Sequence, residues 1–348
     1  MVDKKDCLRP ALRAVSFRFQ QRMSKIATNF IASFLACLFL TQCSGVSGFG
    51  WSRAGTLSKL GYQAVPLQKL RGDARFSGVF NVNGRPMRFL IDSGANSTDV
   101  DKGLATSAGL IEDRSVRVIT RGALGREVSS GRGYGTLQIG PMRADRFSFT
   151  IAPSPDRKTS TSSYAGQIGL DALSATGALV DIPAGKMWVP GPRSHKARTD
   201  GSLPLGARTG LGRQILRMGT AGRLPHLILS GALQGVPVSW VVDTGAEVSV
   251  MAAESFDRFN LPSRATNSRM IDASGDRIPL RHARLKNLLF GQVNVAVFDV
   301  SVAPLGTVRQ YFRDSTGRPV DGILGMDFLM NGAALLDSGS GLLYLGQP

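Results

Sequence analysis

An apolar, strand-like run that drives straight into an acid occurs twice in this chain, and no other feature limits its fold so strongly. The first copy reads Arg88-Phe89-Leu90-Ile91-Asp92-Ser93-Gly94-Ala95 and the second Ser239-Trp240-Val241-Val242-Asp243-Thr244-Gly245-Ala246. A carboxylate at the end of a buried strand costs desolvation unless it is hydrogen-bonded, and a glycine weakens the strand end. Neither feature serves stability. Repeated 151 positions apart (243 − 92), they predict two lobes that each deliver one carboxylate to a shared site.

The surrounding sequence repeats in the same order, as an internal duplication requires. Asn83-Gly84 marks a two-residue hairpin turn ahead of the first aspartate, and Leu233-Gln234-Gly235 takes that place ahead of the second. Leu137-Gln138-Ile139-Gly140 matches Leu288-Leu289-Phe290-Gly291, and residues 165–171 match 321–327. The stretch 116–120, returning at Glu127-Val128, reads as a hairpin with a small tip, and Ile271 to Gly275 matches it in the second copy. Short β-patterned runs, 41 glycines at turns and only brief helical stretches such as 104–110 predict an all-β protein of two pseudo-symmetric lobes with short helices.

Asp337-Ser338-Gly339 carries the same letters a third time. It is followed by Ser340-Gly341 and the apolar run Leu342-Leu343-Tyr344-Leu345, so it reads as a hairpin turn, at the place where the first copy has Asp181. The two matched aspartates stand in a different setting. That setting resembles the aspartic peptidases, specifically the retropepsin-like branch with its Asp-Thr/Ser-Gly-Ala signature, here as two tandem lobes in one chain. The resemblance spans residues 62–189 and 202–348. It implies an acid-protease-type β-barrel in each lobe, with the active site between the lobes. Asp92 and Asp243 would form a catalytic dyad sharing one proton and activating a water, which requires no metal and no cofactor. Ser93, Gly94 and Ala95, with Thr244, Gly245 and Ala246, would form the active-site turns, the two hydroxyls bracing the opposite lobe. Hairpin tips at Ala123, Leu124 and Gly125 and at Ala273, Ser274 and Gly275 would close over an extended peptide or protein substrate. Gln167 is a departure, polar where this family usually carries an apolar residue.

Composition narrows the partners. Of the formal charge of +17, residues 1–43 supply +5, from seven basic and two acidic side chains. The remaining +12 is scattered, with no basic run interleaved with aromatics, which points to a solvated basic surface and no nucleic-acid partner. Cys7, Cys37 and Cys43 all lie near the N-terminus, so the rest of the chain has neither a disulfide framework nor zinc spacing. His195, His226 and His282 stand alone and are expected as surface or turn histidines.

Residues 24–45 have the basic start, apolar centre and small-residue exit of a secretory signal, with Met23 as a candidate start. The apolar run 26–40 falls short of the roughly 20 residues that span a bilayer. Export to the periplasm or cell envelope is the expectation, with a membrane anchor as the alternative reading of this run. Leu40-Thr41-Gln42-Cys43 also resembles a bacterial lipobox, Gln42 standing where a small residue is usual, so lipidation at Cys43 is a further route to the membrane. Residues 44–61 read as a Gly/Ser-rich tether, 62–189 as the first lobe, 190–201 as a linker and 202–348 as the second lobe. Two complete copies favour a monomer that is an intramolecular pseudo-dimer.

The function expected from these features is an aspartic endopeptidase. A non-catalytic exported peptide-binding module with the same fold is the alternative, and the intact acid in both copies argues against it. Ala95 and Ala246 add an expectation about pH. Pepsin-like enzymes commonly carry there a hydroxyl that stabilises the ionised carboxylate. Alanine donates no such bond, so the working range is expected to be mildly acidic to neutral.

Overall fold

Asn83 and Gly84 adopt φ values of 50° and 79°, and Gln234 and Gly235 values of 51° and 78°. Turns of this hand twist with the strands they join. They connect strands Phe76–Val82 to Arg85–Ile91 and His226–Leu233 to Val236–Val242, the strands that run into the two aspartates. The computed structural model describes residues 52–69, 72–121, 127–153, 164–194, 210–221, 226–271 and 277–346. The N-terminal signal segment with Cys43, the hairpin tips at 123–125 and 273–275, and His195 lie outside them.

Each copy forms an eight-stranded sheet of the same order. In the first lobe Arg85–Ile91 lies parallel to Gly166–Ile168, which is followed by Asp99–Asp101, Met142–Ala152, Glu127–Ile139 and Ile111–Arg121. In the second, Val236–Val242 lies parallel to Gly322–Leu324, followed by Val250–Ala252, Val293–Ala303, Arg277–Phe290 and Ser263–Ile271. One further pairing folds each sheet back on itself, Val82 to Leu137 and Leu233 to Leu288. The resulting lobes are filled by Phe80, Phe89 and Phe149 and by Trp240 and Phe290, all fully buried. Fully burying one such side chain contributes about 1.5–3 kcal/mol.

A six-stranded antiparallel sheet joins the lobes. Its order is Tyr62–Pro66, Lys186–Pro190, Leu179–Asp181, Leu335–Asp337, Leu342–Leu345 and Gln214–Arg217, three strands from each copy. The central seam pairs Val180 with Leu336. The third Asp-Ser-Gly therefore does form a hairpin, with the Ser340 amide donating to Asp337 Oδ1 at 3.0 Å.

Two elements depart from the sequence expectation. Within the stretch read as a tether, Ser52 caps a helix over Arg53–Lys59, accepting from the Gly55 amide at 3.1 Å. Its Leu57 is buried, and Arg53 reaches under the six-stranded sheet to Asp181 (Nη1 to Oδ1, 2.8 Å), the Leu211 carbonyl and the Ala333 carbonyl. Glycine and serine content signalled flexibility, but a capping serine followed by one apolar anchor suffices for a packed helix. The second departure is the helix Gly306–Thr316, which the β-pattern gave no reason to expect.

Candidate active site

The turn at each aspartate is held from three directions. Asp92 donates its amide to the Ile168 carbonyl at 3.0 Å, and Asp243 to the Leu324 carbonyl at 2.9 Å, which ties each strand end to its parallel neighbour. Just beyond, the Leu170 amide donates to the Ala95 carbonyl at 2.8 Å and the Met326 amide to the Ala246 carbonyl at 2.9 Å. The Asp171 carboxylate accepts both the amide (2.9 Å) and the hydroxyl (2.7 Å) of Thr98. Asp327 does the same for Ser249, at 2.9 and 2.6 Å. Sequence reading placed Asp171 and Asp327 inside a repeated segment without assigning them this bracing role. A signal was there: each is an acid that falls at the same point of both copies.

The third hold crosses between the lobes. Ser93 donates its amide to Thr244 Oγ1 at 2.9 Å, and Thr244 returns its amide to Ser93 Oγ at 3.0 Å. The Ser93 hydroxyl then donates to the Val242 carbonyl at 2.8 Å, and the Thr244 hydroxyl to the Ile91 carbonyl at 2.9 Å. Four bonds with every donor matched make a buried polar knot that specifies one mutual position of the two turns. Each hydroxyl thus bonds the backbone of the opposite lobe.

The knot fixes the carboxylates. A Cβ on Gly94 would stand 2.4 Å from Cγ of Asp243, and one on Gly245 would stand 2.4 Å from Cγ of Asp92. Each acid lies across the glycine of the other turn, where any side chain would displace it. Asp92 Oδ1 accepts the Gly94 and Ala95 amides at 2.8 and 3.0 Å, and Asp243 Oδ1 accepts the Gly245 amide at 2.7 Å. The two carboxyls also hydrogen-bond each other. Burial raises both above the ordinary carboxylate range. The charge of Asp92 pushes Asp243 well above it, while the bond from Asp243, the Gly94 and Ala95 amides and the Arg75 cation hold Asp92 back. Like charges this close share a single proton. Both residues keep part of their surface open to solvent.

The family model for aspartyl proteases matches residues 79–172 and 229–328, once over each lobe and together over more than half of the chain. The chain belongs to the aspartyl protease family. No curated protein matches it. Two matches in one chain fit the duplication, and each contains one of the aspartates described above.

Around this aspartyl-protease framework stand residues to which sequence reading gave no place at the site. Arg75 and His226 occupy equivalent positions of the two copies, as do Asn96 and Glu247 (226 − 75 and 247 − 96 are both 151). On one side Arg75 donates to both oxygens of Asp73, from Nε at 2.9 Å and from Nη2 at 2.8 Å, and Tyr164 donates its hydroxyl to Asp73 at 3.0 Å. The same guanidinium lies 3.8 Å from Glu247 of the second lobe, and its Nη1 donates to the Gly245 carbonyl at 3.4 Å. Burial pushes Asp73 up, but the bonds from Arg75 outweigh it and hold the carboxyl below its usual range. Glu247 is raised, by burial first and then by Asp73.

The other side is aromatic. His226, expected at the surface, is 8 % exposed and packs against Tyr311 and Phe312, with ring centroids 5.6 and 4.9 Å away. Its Nδ1 has no hydrogen-bond partner among the described residues, and burial lowers its pKa to about 4. Tyr311 comes from the helix Gly306–Thr316 and accepts the Asn96 amide of the first lobe at 3.3 Å. The histidine is buried because this helix covers it. Equivalence to Arg75 could have flagged the position; its burial could not be read from sequence. Among the described residues, no group of three or more His, Cys, Asp or Glu side chains is placed to hold a metal ion.

Proposed function

We propose that this protein is an aspartic endopeptidase whose dyad is Asp92 and Asp243. The observation that carries this reading is the crossed packing of each carboxylate on the opposite glycine, which leaves one proton between two acids at a partly open site. In the singly protonated dyad, the ionised acid takes a proton from a water as the water oxygen bonds to the peptide carbonyl carbon. The protonated acid gives its proton to the carbonyl oxygen. The resulting diol collapses when the newly protonated acid gives its proton to the amide nitrogen, the C–N bond breaks and a diol hydroxyl returns its proton to the other carboxylate. This yields a carboxylic acid and an amine and restores the singly protonated dyad. An extended peptide would run between the two long hairpins, Ile111–Arg121 with Glu127–Ile139 and Ser263–Ile271 with Arg277–Phe290. The exposed Ile119 and Ile271 near their ends support a covering role for these hairpins. Cleavage is expected to peak at mildly acidic to neutral pH, since neither Ala95 nor Ala246 supplies a hydroxyl to the ionised acid. Export through the signal segment belongs to the same proposal, with lipidation at Cys43 as one route to the membrane; fractionation of wild type and Cys43→Ser cells tests it.

The activity test is cleavage of a mixed peptide library between about pH 3 and pH 7. Asp92→Asn and Asp243→Asn should each lose on the order of 10²–10⁴-fold, the worth of a positioned acid or base. Cleavage that survives in either variant would rule out the shared dyad.

A further inference from the structure

The two flanks of the dyad are equivalent by descent within the chain but opposite in charge. Arg75 is clamped on its outer edge by Asp73, which also receives the Tyr164 hydroxyl, and Glu247 stands at 3.8 Å. With two bonds to Asp73 on one edge, the guanidinium turns Nη1 inward to the Gly245 carbonyl. Gly245 is the residue on which the Asp92 carboxylate lies. The Arg75–Asp73 pair is therefore a dipole with its positive end toward Asp92. The Glu247 side chain is 48 % exposed, and Arg88 acts on Tyr164 from the same lobe. On the opposite flank the equivalent position holds His226, neutral and packed on Tyr311 and Phe312, and the uncharged Asn96 of the first lobe donates to that Tyr311.

We propose that Arg75 is a positioning residue that breaks the symmetry of the dyad, placing its one negative charge on Asp92 and its proton on Asp243. Asp92 then takes the proton from water and Asp243 gives its own to the carbonyl oxygen. The geometry supplies the direction: one carboxylate sits on the glycine that Arg75 binds, and the other sits on Gly94, to which no cation is attached in the described residues. An opposite charge at this range stabilises the ionised form. Asp73 is held on the Nε/Nη2 edge of the guanidinium, away from the Nη1 that reaches Gly245, and Glu247 is half exposed, so the inward end dominates at Asp92.

This assignment rests on the peptidase reading for its consequence but not for its test. Carboxyl carbon NMR of protein labelled at aspartate follows each acid without any substrate. In an Asp243→Asn background, Arg75→Gln or Arg75→Met should raise the titration midpoint of Asp92 by about one pH unit. In an Asp92→Asn background the same change should move Asp243 by clearly less. Arg75→Lys, which keeps the charge, should hold Asp92 near its original midpoint. In the intact dyad, the acid limb of the kcat/KM profile should move up with Arg75→Gln and return with Arg75→Lys, a displacement that a merely structural role would not produce. An Asp92 midpoint unmoved by loss of Arg75, an equal or larger shift at Asp243, or a lysine variant that titrates like the glutamine variant would overturn the proposal. A wild type that cleaves nothing but shows the expected midpoints would refute the peptidase reading and leave the charge assignment standing.

Discussion

The two flanks of the aspartate pair differ far more than the two turns that carry it. Both turns use a hydroxyl in the cross-lobe knot, both lay a glycine under the opposite acid, and both are stapled from below by an acid on a Thr or Ser. The flanks share no chemistry: one is an ionic cluster around Arg75, the other an aromatic nest around His226. The contrast separates what builds a pair of opposed carboxylates from what tunes it. Geometry demands the same parts from each copy because each acid rests on the other copy's turn. Electrostatics makes no such demand, and a difference between flanks gives the two acids different roles.

If building is symmetric, equivalent changes in the two turns should cost the same. Gly94→Ala and Gly245→Ala each force a Cβ to 2.4 Å from a carboxyl carbon, and each should lower kcat/KM on the order of 10³-fold, close to removal of an acid. A large loss for one and a tolerated change for the other would break the equivalence. The six-stranded sheet offers the opposite case. Asp181 and Asp337 are equivalent, but Arg53 is paired to Asp181, with both side chains no more than 3 % exposed. Arg53→Met strands that buried charge and should cost about 3–5 kcal/mol in urea unfolding. Arg53→Met with Asp181→Leu should recover much of the loss.

The knot makes a smaller and again symmetric prediction. Thr244→Val leaves the Ser93 amide and the Ile91 carbonyl without their partner, and Ser93→Ala leaves the Thr244 amide and the Val242 carbonyl. Two buried groups orphaned in each case predict about 2–4 kcal/mol of lost stability for either variant, by thermal or chemical unfolding. A double variant that loses less than the sum would show that the four bonds act as one unit.

The symmetric parts were largely legible in the sequence. A strand ending in Asp-Ser-Gly-Ala or Asp-Thr-Gly-Ala, a positive-φ turn at Asn83-Gly84, and a repeat at one offset are local or periodic signals, and local signals survive translation into structure. The same reading kept Asp337-Ser338-Gly339 as a hairpin. The asymmetric parts were not legible, because they are contacts between distant residues that no local pattern encodes. Arg75 reaches Gly245, 170 residues away, and Asn96 reaches Tyr311, 215 away. His226 looked like an isolated polar residue because the helix that buries it lies in a segment with no β-pattern. Arg53 looked like part of a tether because its partners are Asp181 and two backbone carbonyls far along the chain.

One further effect sharpens the comparison most, because it separates the flanks by pH alone. His226 has its pKa lowered from 6.5 to about 4 by burial, so the folded protein keeps it neutral while the unfolded chain takes up a proton. As pH falls from about 6.5 to about 4, the unfolded state binds more protons at this site and stability is lost; below about 4 both states are charged and the loss levels off. At about 1.4 kcal/mol per unit, the whole window is worth about 3 kcal/mol. The dyad works in the other sense. Its carboxyls are raised by burial and mutual repulsion, so their burden appears as pH rises through the ordinary carboxylate range and is absent in acid. His226→Phe should therefore stabilise the protein at pH 4 relative to wild type and change little at pH 7, allowing for the fit of the larger ring against Tyr311 and Phe312. Asp243→Asn should raise the melting temperature at pH 7 and do little at pH 3. The pair of melting curves, taken at both pH values, assigns acid sensitivity to the aromatic flank and neutral-pH strain to the dyad. A His226→Phe variant as acid-sensitive as wild type would place that sensitivity elsewhere, and the aromatic nest would then be packing alone.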